Sequence, residues 1–353
     1  MLHRKSHRHL PSGEIEIKYL PIMYKKKLSS STNLHQPLFF AKIVPGIMMF
    51  YRPTKPQHLI CFKQWTANMV VDIIMSAMNL KYRHRDTHAT RLDVLSDIKV
   101  MILEEVNQPL LSMAVSKAAT LLGAYDVSIA DKMVWEYDYL GKIFSYMADV
   151  IFVSTATHMC VQRFANQSCV PVLCMSSRTH ASIQSLATVM AIMEEFGTMG
   201  CLNISYLGAP HPVLNSYLLL CPMLGANIKF KCCCDKCPVS PLLSKASEDM
   251  TSQTATHSTA CSSLEEVLQN TSVVIAGPTT SKKDKISEFR ITPEDISTRT
   301  CSHWIFFHTC PRGPEVDDKM FYHYNARTFR AFENFHYIAA SLMAYTTKQH
   351  TFS

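Results

Sequence analysis

The sequence lacks a hydrophobic run long enough to cross a membrane, which takes roughly 18 to 20 consecutive apolar residues. The best candidates, residues 39–51 and 69–80, are short and are interrupted by Lys42, Pro45 or Asp72. A secretory signal core is also missing, so the 13 cysteines are expected to be reduced thiols. We therefore expect no transmembrane helix and no disulfide framework.

Short catalytic signatures are missing as well. The sequence contains no Walker-type loop, no G-x-G-x-x-G, no H-E-x-x-H and no G-x-S-x-G. The cysteine cluster at residues 232–237 holds one C-x-x-C half-site, whereas a structural zinc site usually takes four ligands. No second pair follows, so the cluster is interpreted as small residues at a strand end. Neither a metal nor a cofactor is expected.

Positive charge is concentrated at the start of the chain. Residues 1–57 contain ten Lys or Arg and two Glu, a net charge of +8. The other 296 residues carry −1 of the total of +7, so the body is nearly neutral and nothing predicts nucleic-acid binding. The basic segment is either a mitochondrial leader or a solvated tail, because Arg4 and Arg8 favour a leader while Glu14, Glu16 and Pro11 do not.

Length and patterning predict an α/β protein with two domains, each with a parallel sheet flanked by helices. The composition is 47% hydrophobic and 18% charged over 353 residues, as in folded proteins. Strands are predicted at residues 98–103, 148–153, 170–174, 202–207, 228–232, 273–276 and 304–307. Helices are predicted after Thr66 and at residues 113–122, 183–196, 213–224, 264–268 and 334–345. The two domains join near residues 186–200.

Function is expected where the strands end, because open parallel sheets bind ligands at their carboxyl edge. The sequence therefore directs attention to the residues that follow five strand ends: Leu103, Val153, Leu207, Ala276 and Phe307.

One long motif resembles a known family. Residues 303–322 read H-W-I-F-F-H-T-C-P-R-G-P-E-V-D-D-K-M-F-Y, similar to the ornithine carbamoyltransferase motif D-W-x-F-L-H-C-L-P-R followed by E-V-D-D-x-V-F-Y. Shorter matches occur in the family's order at K-Q-W-T (63–66), S-Y-M-A-D (145–149), I-S-Y-L-G (204–208) and E-N (333–334). The resemblance covers roughly residues 58–346.

The resemblance implies a carbamoyltransferase-like fold. It implies a carbamoyl-phosphate-binding-like domain at 58–186, an ornithine-binding-like domain at 187–330, and a C-terminal helix and tail at 331–353 that pack back on the first domain. It also implies a trimer with sites at subunit interfaces, carbamoyl phosphate and ornithine as substrates if the protein is active, and the mitochondrial matrix as location. The cytoplasm is the alternative.

Most positions that bind carbamoyl phosphate in the family are changed. The S-T-R-T-R turn matches residues 107–112, which contain no Arg, and Pro109 removes a backbone donor. Two acids, Glu104 and Glu105, precede this turn. The family's Arg after M-A-D is Ser154.

The catalytic and amino-acid-binding positions differ too. The first domain's catalytic His matches Ala130, the His of H-P-x-Q falls on Ala181 with His180 one place early, and the late Arg is Asn325. The family's Asn pair falls on His211–Pro212, and its ornithine-binding Asp falls on Gly277. Its S-M-G loop falls on residues 281–283, and its catalytic Cys falls on Thr309, with Cys310 one place later.

Five family residues persist at matching positions: Gln184, Ser281, His308, Pro311 and Arg312. The expected catalytic residues are therefore His308 and Cys310. The expected substrate-binding residues are Gln184, Ser281, His308 and Arg312. Pro311 and Arg312 have an equally good structural interpretation, because they can fix a turn.

Three hypotheses follow. The chain is a pseudoenzyme that serves as a scaffold, as a homotrimer or as a mixed trimer with an active paralogue. Alternatively, it is a carbamoyltransferase of low activity, forming citrulline or using another amino-acid acceptor. The third hypothesis is a decaying gene copy.

Overall fold

The computed structural model describes residues 41–44, 47–50, 55–87, 90–133, 135, 137, 139–232, 239–279 and 288–353. The chain divides into two compact units, residues 1–54 and 55–353. In the first unit, strands β1 (Ala41–Val44) and β2 (Ile47–Phe50) pair antiparallel. Residues 1–40, which hold most of the basic segment, lie outside the described residues.

A four-stranded parallel sheet organises the first half of the second unit, in the order β4-β3-β5-β6. Its strands are β3 (Lys99–Glu104), β4 (Asp126–Ala130), β5 (Val150–Ser154) and β6 (Val172–Ser176). The central strand β5 is buried along its whole length, as its unbroken apolar run predicts for a parallel sheet covered on both faces.

Helices surround this sheet. They are α1 (Ala67–Thr87), α2 (Pro109–Leu121), α3 (Leu140–Phe144) and α4 (His158–Gln167), preceded by a 3₁₀ turn at Phe62–Gln64. The predicted capping residue is confirmed, because the Thr66 hydroxyl accepts a hydrogen bond from the Met69 N–H at 3.3 Å. Helix α2 begins four residues earlier than predicted, with Pro109 in its first turn, where a missing N–H costs nothing.

A five-stranded parallel sheet organises the second half, in the order β11-β10-β7-β8-β9. Its strands are β7 (Asn203–Gly208), β8 (Asn227–Cys232), β9 (Ser258–Ala260), β10 (Val273–Ala276) and β11 (Ile305–His308). The helices of this half are α6 (Pro212–Met223), α7 (Pro241–Thr254), α8 (Leu264–Leu268), α9 (Pro293–Arg299) and α10 (Asp318–Phe321).

Two long helices join the halves. Helix α5 (Ser182–Phe196) leads from one sheet to the other, and α11 (Thr328–Lys348) returns to pack on α1, α2 and α5. Buried Lys81 of α1 lies 2.9 Å from the Glu194 carboxylate of α5 and 2.6 Å from the Asn334 side-chain oxygen of α11. The predicted α/β class and the return of the C-terminal helix are confirmed. The domain boundaries at 58–186, 187–330 and 331–353 stay a prediction.

Among the described segments, every helix is too short or too polar to cross a bilayer.

Candidate functional site

A cavity of about 630 Å³ lies at the carboxyl edges of the two sheets. Its walls come from the segments that follow β3, β5 and β6, from the first turns of α2, α5 and α6, from the loop after β11, and from α11. Four of the five strand ends singled out from the sequence, Leu103, Val153, Leu207 and Phe307, lead into these segments. The cavity is therefore the candidate functional site.

At the start of α2, in the segment that the sequence resemblance matches to a phosphate-binding turn, a carboxylate of the chain itself accepts hydrogen bonds. The Gln108 N–H donates to the Glu104 carboxylate at 3.2 Å, and the Ser112 hydroxyl donates to the same oxygen. Glu104 is only 8% exposed. Because helix N-termini bind anions through free N–H groups, an internal anion here leaves less for an external one.

A second carboxylate does the same after β5. Glu105 accepts hydrogen bonds from the Thr155 hydroxyl at 2.7 Å and from the Ala156 N–H at 2.9 Å. Ser154, at the family's Arg position, donates its hydroxyl to the Val106 carbonyl at 2.8 Å. The segments after β3 and after β5 are thus tied to each other by groups of the chain itself.

The loop after β11 is held by a buried pair. The His308 Nε2 lies 3.0 Å from the Glu315 carboxylate, and the His308 Nδ1 accepts a hydrogen bond from the Cys310 N–H at 2.9 Å. Glu315 also accepts from the Gly313 N–H and from the Thr279 hydroxyl, at 2.7 and 3.0 Å. Burial alone would raise the pKa of Glu315, but these hydrogen bonds, led by that of His308, lower it to about 2. Both ring nitrogens of His308 are therefore engaged in fixing the loop.

The other expected residues are placed differently. Cys310 and Gln184 line the cavity, and the Gln184 amide donates to the Thr309 carbonyl at 2.7 Å. Burial raises the pKa of the Cys310 thiol, so it is not a ready nucleophile at neutral pH. Arg312 is not among the residues that line the cavity. It pairs with Asp318 at 2.6 Å and lies 4.7 Å from the Phe321 ring centroid.

Ser281 and the two lysines after it lie outside the described residues. The roles of Cys310, His308, Gln184, Ser281 and Arg312 remain predictions. The geometry brings Cys310 and Gln184 together at the cavity, and places His308 and Arg312 in contacts within the second half.

The two histidines near the cavity are neutral at physiological pH. Burial, together with His158 and Lys63, lowers the pKa of His180 to about 3. Burial and the nearby His308 lower the pKa of His211 to about 4. His211 acts as the N-cap of α6, because its Nδ1 accepts a hydrogen bond from the Val213 N–H at 3.2 Å. Neither ring supplies positive charge to a bound anion.

Gly277, which matches the family's ornithine-binding Asp, has no room for a side chain because Tyr206 lies against it. A Cβ built on Gly277 would lie 2.1 Å from the Tyr206 hydroxyl oxygen. Tyr206 is fully buried in β7, and its hydroxyl donates to the Ala209 carbonyl at 2.7 Å. A side chain longer than that of glycine cannot stand at this position unless Tyr206 moves.

One arginine that sequence reasoning missed does line the cavity. Arg178 follows β6, and among the described lining residues it is the one Lys, Arg, Asp or Glu. Its guanidinium has no ion-pair or hydrogen-bond partner within the described part of the chain. The strand at 170–174 was predicted, so the carboxyl-edge rule that selected the other strand ends would also have found Arg178.

Metal-binding groups are not assembled in the described residues. No cluster of three His, Cys, Asp or Glu side chains suited to a metal ion occurs among them. Most of the 232–237 cysteine cluster lies outside the described residues.

Comparison with known proteins gives a family match to part of the chain and a shared fold. The family model "Aspartate/ornithine carbamoyltransferase, Asp/Orn binding domain" matches residues 201–346. The mitochondrial ornithine carbamoyltransferase of Aquarana catesbeiana is 22% identical over 307 residues, covering 82% of this chain and 86% of that protein. The mitochondrial ornithine transcarbamylase of Pachysolen tannophilus is 22% identical over 285 residues, covering 76% and 82%.

Two solved structures share the fold. A mitochondrial ornithine carbamoyltransferase from Coccidioides immitis superposes with a TM-score of 0.77 at 20% identity, over 84% of this chain and all of the other. The ornithine carbamoyltransferase of Pyrococcus furiosus gives 0.77 at 17% identity, over 84% and 98%. At these identities the superposition speaks for the fold alone.

Proposed function

We propose that the chain is a non-catalytic member of the ornithine carbamoyltransferase family that acts as a subunit of an assembly. The observation that carries the proposal is the placement of Glu104 and Glu105. Their carboxylates accept the hydrogen bonds offered at the first turn of α2 and after β5. Carbamoyl phosphate, a dianion, would have to displace or face both.

The size of the loss supports inactivity. A hydrogen bond to a charged group contributes about 1.5–3 kcal/mol. Losing about three arginines and a histidine would therefore cost on the order of 6 kcal/mol or more, which is about 10⁴-fold in rate. Among its described lining residues the cavity offers one cationic side chain, Arg178. Glu104 and Glu105 accept hydrogen bonds from the lining residues Gln108 and Ala156. The filled position at Gly277 adds a lost contact on the amino-acid side.

The assay for this proposal is citrulline formation. Purified protein is given millimolar carbamoyl phosphate and ornithine, with an active family member measured in parallel. We expect no turnover above the uncatalysed rate. Enzyme-dependent citrulline, or turnover with another amino acid, would instead establish the rival function of a slow carbamoyltransferase, which the surviving Gln184 at the cavity favours.

The assembly role rests on the β3–α2–β4 edge, defined by Leu110, Met113, Tyr125 and Ile129. All four side chains are exposed, and Met113 and Tyr125 are 69% and 70% exposed. Strand β4 is the outer strand of its sheet, so its open side presents unpaired backbone groups. We propose that this edge contacts a second copy of the chain in a homotrimer.

The test measures mass in solution. Light scattering is expected to give three times the chain mass, and Met113→Glu with Ile129→Asp is expected to give a monomer. Leu242→Asp, at an 80% exposed position on α7, is the matched control and should stay trimeric. A wild-type monomer, both alone and mixed with an active family member, contradicts the assembly role; a mixed trimer alone replaces the homotrimer.

We further propose that the protein resides in the mitochondrial matrix. Two relatives are mitochondrial by name, and residues 1–57 carry a net charge of +8. A fluorescent reporter fused after residue 57 is expected to enter mitochondria, and replacing Arg4 and Arg8 by Gln should weaken import. A cytoplasmic reporter would contradict the proposal.

A further inference from the structure

The cavity left at the sheet edges is well suited to an apolar molecule. Its volume of about 630 Å³ lies within the 300–1,000 Å³ typical of small-molecule sites. Leu111, Pro212, Phe332 and Phe335 contribute to its walls, and Leu111 and Phe335 are almost fully buried. Burial of an apolar ligand against such walls is favourable because it removes apolar surface from water.

The polar groups of the cavity are mostly occupied within the chain. The Ser154 hydroxyl and the Gln184 amide both donate to main-chain carbonyls. Thr155 donates to Glu105. These groups therefore offer few free donors to a highly polar ligand such as a phosphate ester.

Arg178 differs from these groups. It lines the cavity and lacks a partner among the described residues, while His211, which also lines the cavity, is neutral because its pKa is lowered to about 4. A guanidinium is always charged and can bind a carboxylate through two parallel hydrogen bonds. The lining therefore offers one positive charge.

The charges in and near the cavity indicate which class of ligand it can bind. A dianion is disfavoured by the nearby Glu104 and Glu105, and a cation is repelled by Arg178. We propose that the cavity binds an organic monocarboxylate with an apolar body, whose carboxylate pairs with Arg178 and whose body contacts Phe332 and Phe335. This ligand does not depend on the proposed assembly, and it fits the cavity whether or not citrulline is formed.

The test uses 3-phenylpropionate as the probe, with isothermal titration on the full chain. We expect it to bind about tenfold or more tightly than its neutral isostere 3-phenylpropanamide, because a charge-assisted hydrogen bond adds at least that factor. Acetate, which has the charge without the body, and inorganic phosphate should both bind at least tenfold more weakly than the probe. An amide that binds as tightly as the acid, or phosphate that binds more tightly, overturns the proposal.

Variants locate the binding site. Arg178→Gln should remove the preference for the acid over the amide, while the exposed Arg83→Gln on α1 should preserve it. Ala156→Phe should weaken acid and amide alike, because the larger ring fills the cavity. Thermal unfolding checks that each variant is folded. A retained acid preference in Arg178→Gln contradicts the proposal even if no citrulline is ever formed, so this failure is separable from that of the proposed inactivity.

Discussion

The two sides of the cavity differ from the family's motifs in different ways. On the side of the first sheet, the positions that match the family's ligand-binding residues are changed, and Glu104 and Glu105 accept hydrogen bonds from the Gln108 and Ala156 N–H groups. On the side of the second sheet, His308 and Arg312 are kept, but they contact Glu315 and Asp318. These kept motif residues therefore have a structural explanation, because their contacts hold the loop after β11.

The largest effect is expected when the partner of His308 is removed, which tests whether His308 is a structural residue. Glu315→Ala leaves the His308 Nε2, the Gly313 N–H and the Thr279 hydroxyl without an acceptor. We expect the free energy of unfolding to fall by about 3 kcal/mol, measured in urea. The exposed Glu248→Ala on α7 is the control and should change it little. An unchanged stability would mean that His308 is not a structural residue.

Acid sensitivity gives the next largest effect. The folded-state pKa of His180 is about 3, below the usual value of 6.5 for histidine, so the unfolded chain takes up a proton first as the pH falls. The contribution of neutral His180 to stability is complete above pH 6.5 and is lost as the pH falls towards 3. At pH 5 the loss is about 2 kcal/mol.

This loss is measured by urea unfolding at pH 7 and pH 5. His180→Asn should reduce the pH-dependent loss, while the exposed His303→Asn should retain it. Equal pH dependence in His180→Asn and wild type would show that His180 is not the group that titrates.

The carboxylates of the first side can be tested directly. Glu104→Gln with Glu105→Gln keeps oxygen acceptors but removes two negative charges. Inorganic phosphate is expected to bind about tenfold more tightly than to wild type, a change of about 1.4 kcal/mol. Phosphorus NMR line broadening measures this, and Glu248→Gln with Asp249→Asn on α7 is the charge-matched control. An equal phosphate affinity in the double variant and in the control would show that Glu104 and Glu105 do not weaken phosphate binding.

Most strands of the two sheets were predicted from the sequence because they are continuous apolar runs. Strand β4 was not predicted, since as an edge strand it is largely exposed and has no such run. Helix α7 was missed because its composition is rich in Ser and Thr, and it buries only Leu243, Ala246 and Ser247. Hydrophobic patterning detects buried side chains, so it does not predict strands and helices that bury few residues.

The candidate site could be predicted only in part from the sequence. The changed ligand positions could be matched one by one, but what replaced them depends on contacts between distant segments. Nothing in the sequence pairs Glu105 with Ala156, 51 residues later, or puts Tyr206 against Gly277. Likewise, the link from His308 to Glu315 depends on the turn between them, so the motif alone could not distinguish a catalytic from a structural histidine.

The smallest effect concerns the residue at the family's catalytic cysteine position. The Thr309 hydroxyl oxygen is buried and has no hydrogen-bond partner in the described part of the chain. Thr309→Val keeps the shape and removes this unsatisfied group, so we expect a gain of up to about 1 kcal/mol in unfolding free energy. Thr188→Val is the matched control, because the Thr188 hydroxyl donates to the Gln184 carbonyl at 3.0 Å and its loss should destabilise. A destabilised Thr309→Val would show instead that this hydroxyl has a partner in solution, and that the second side of the cavity retains more polar function than the first.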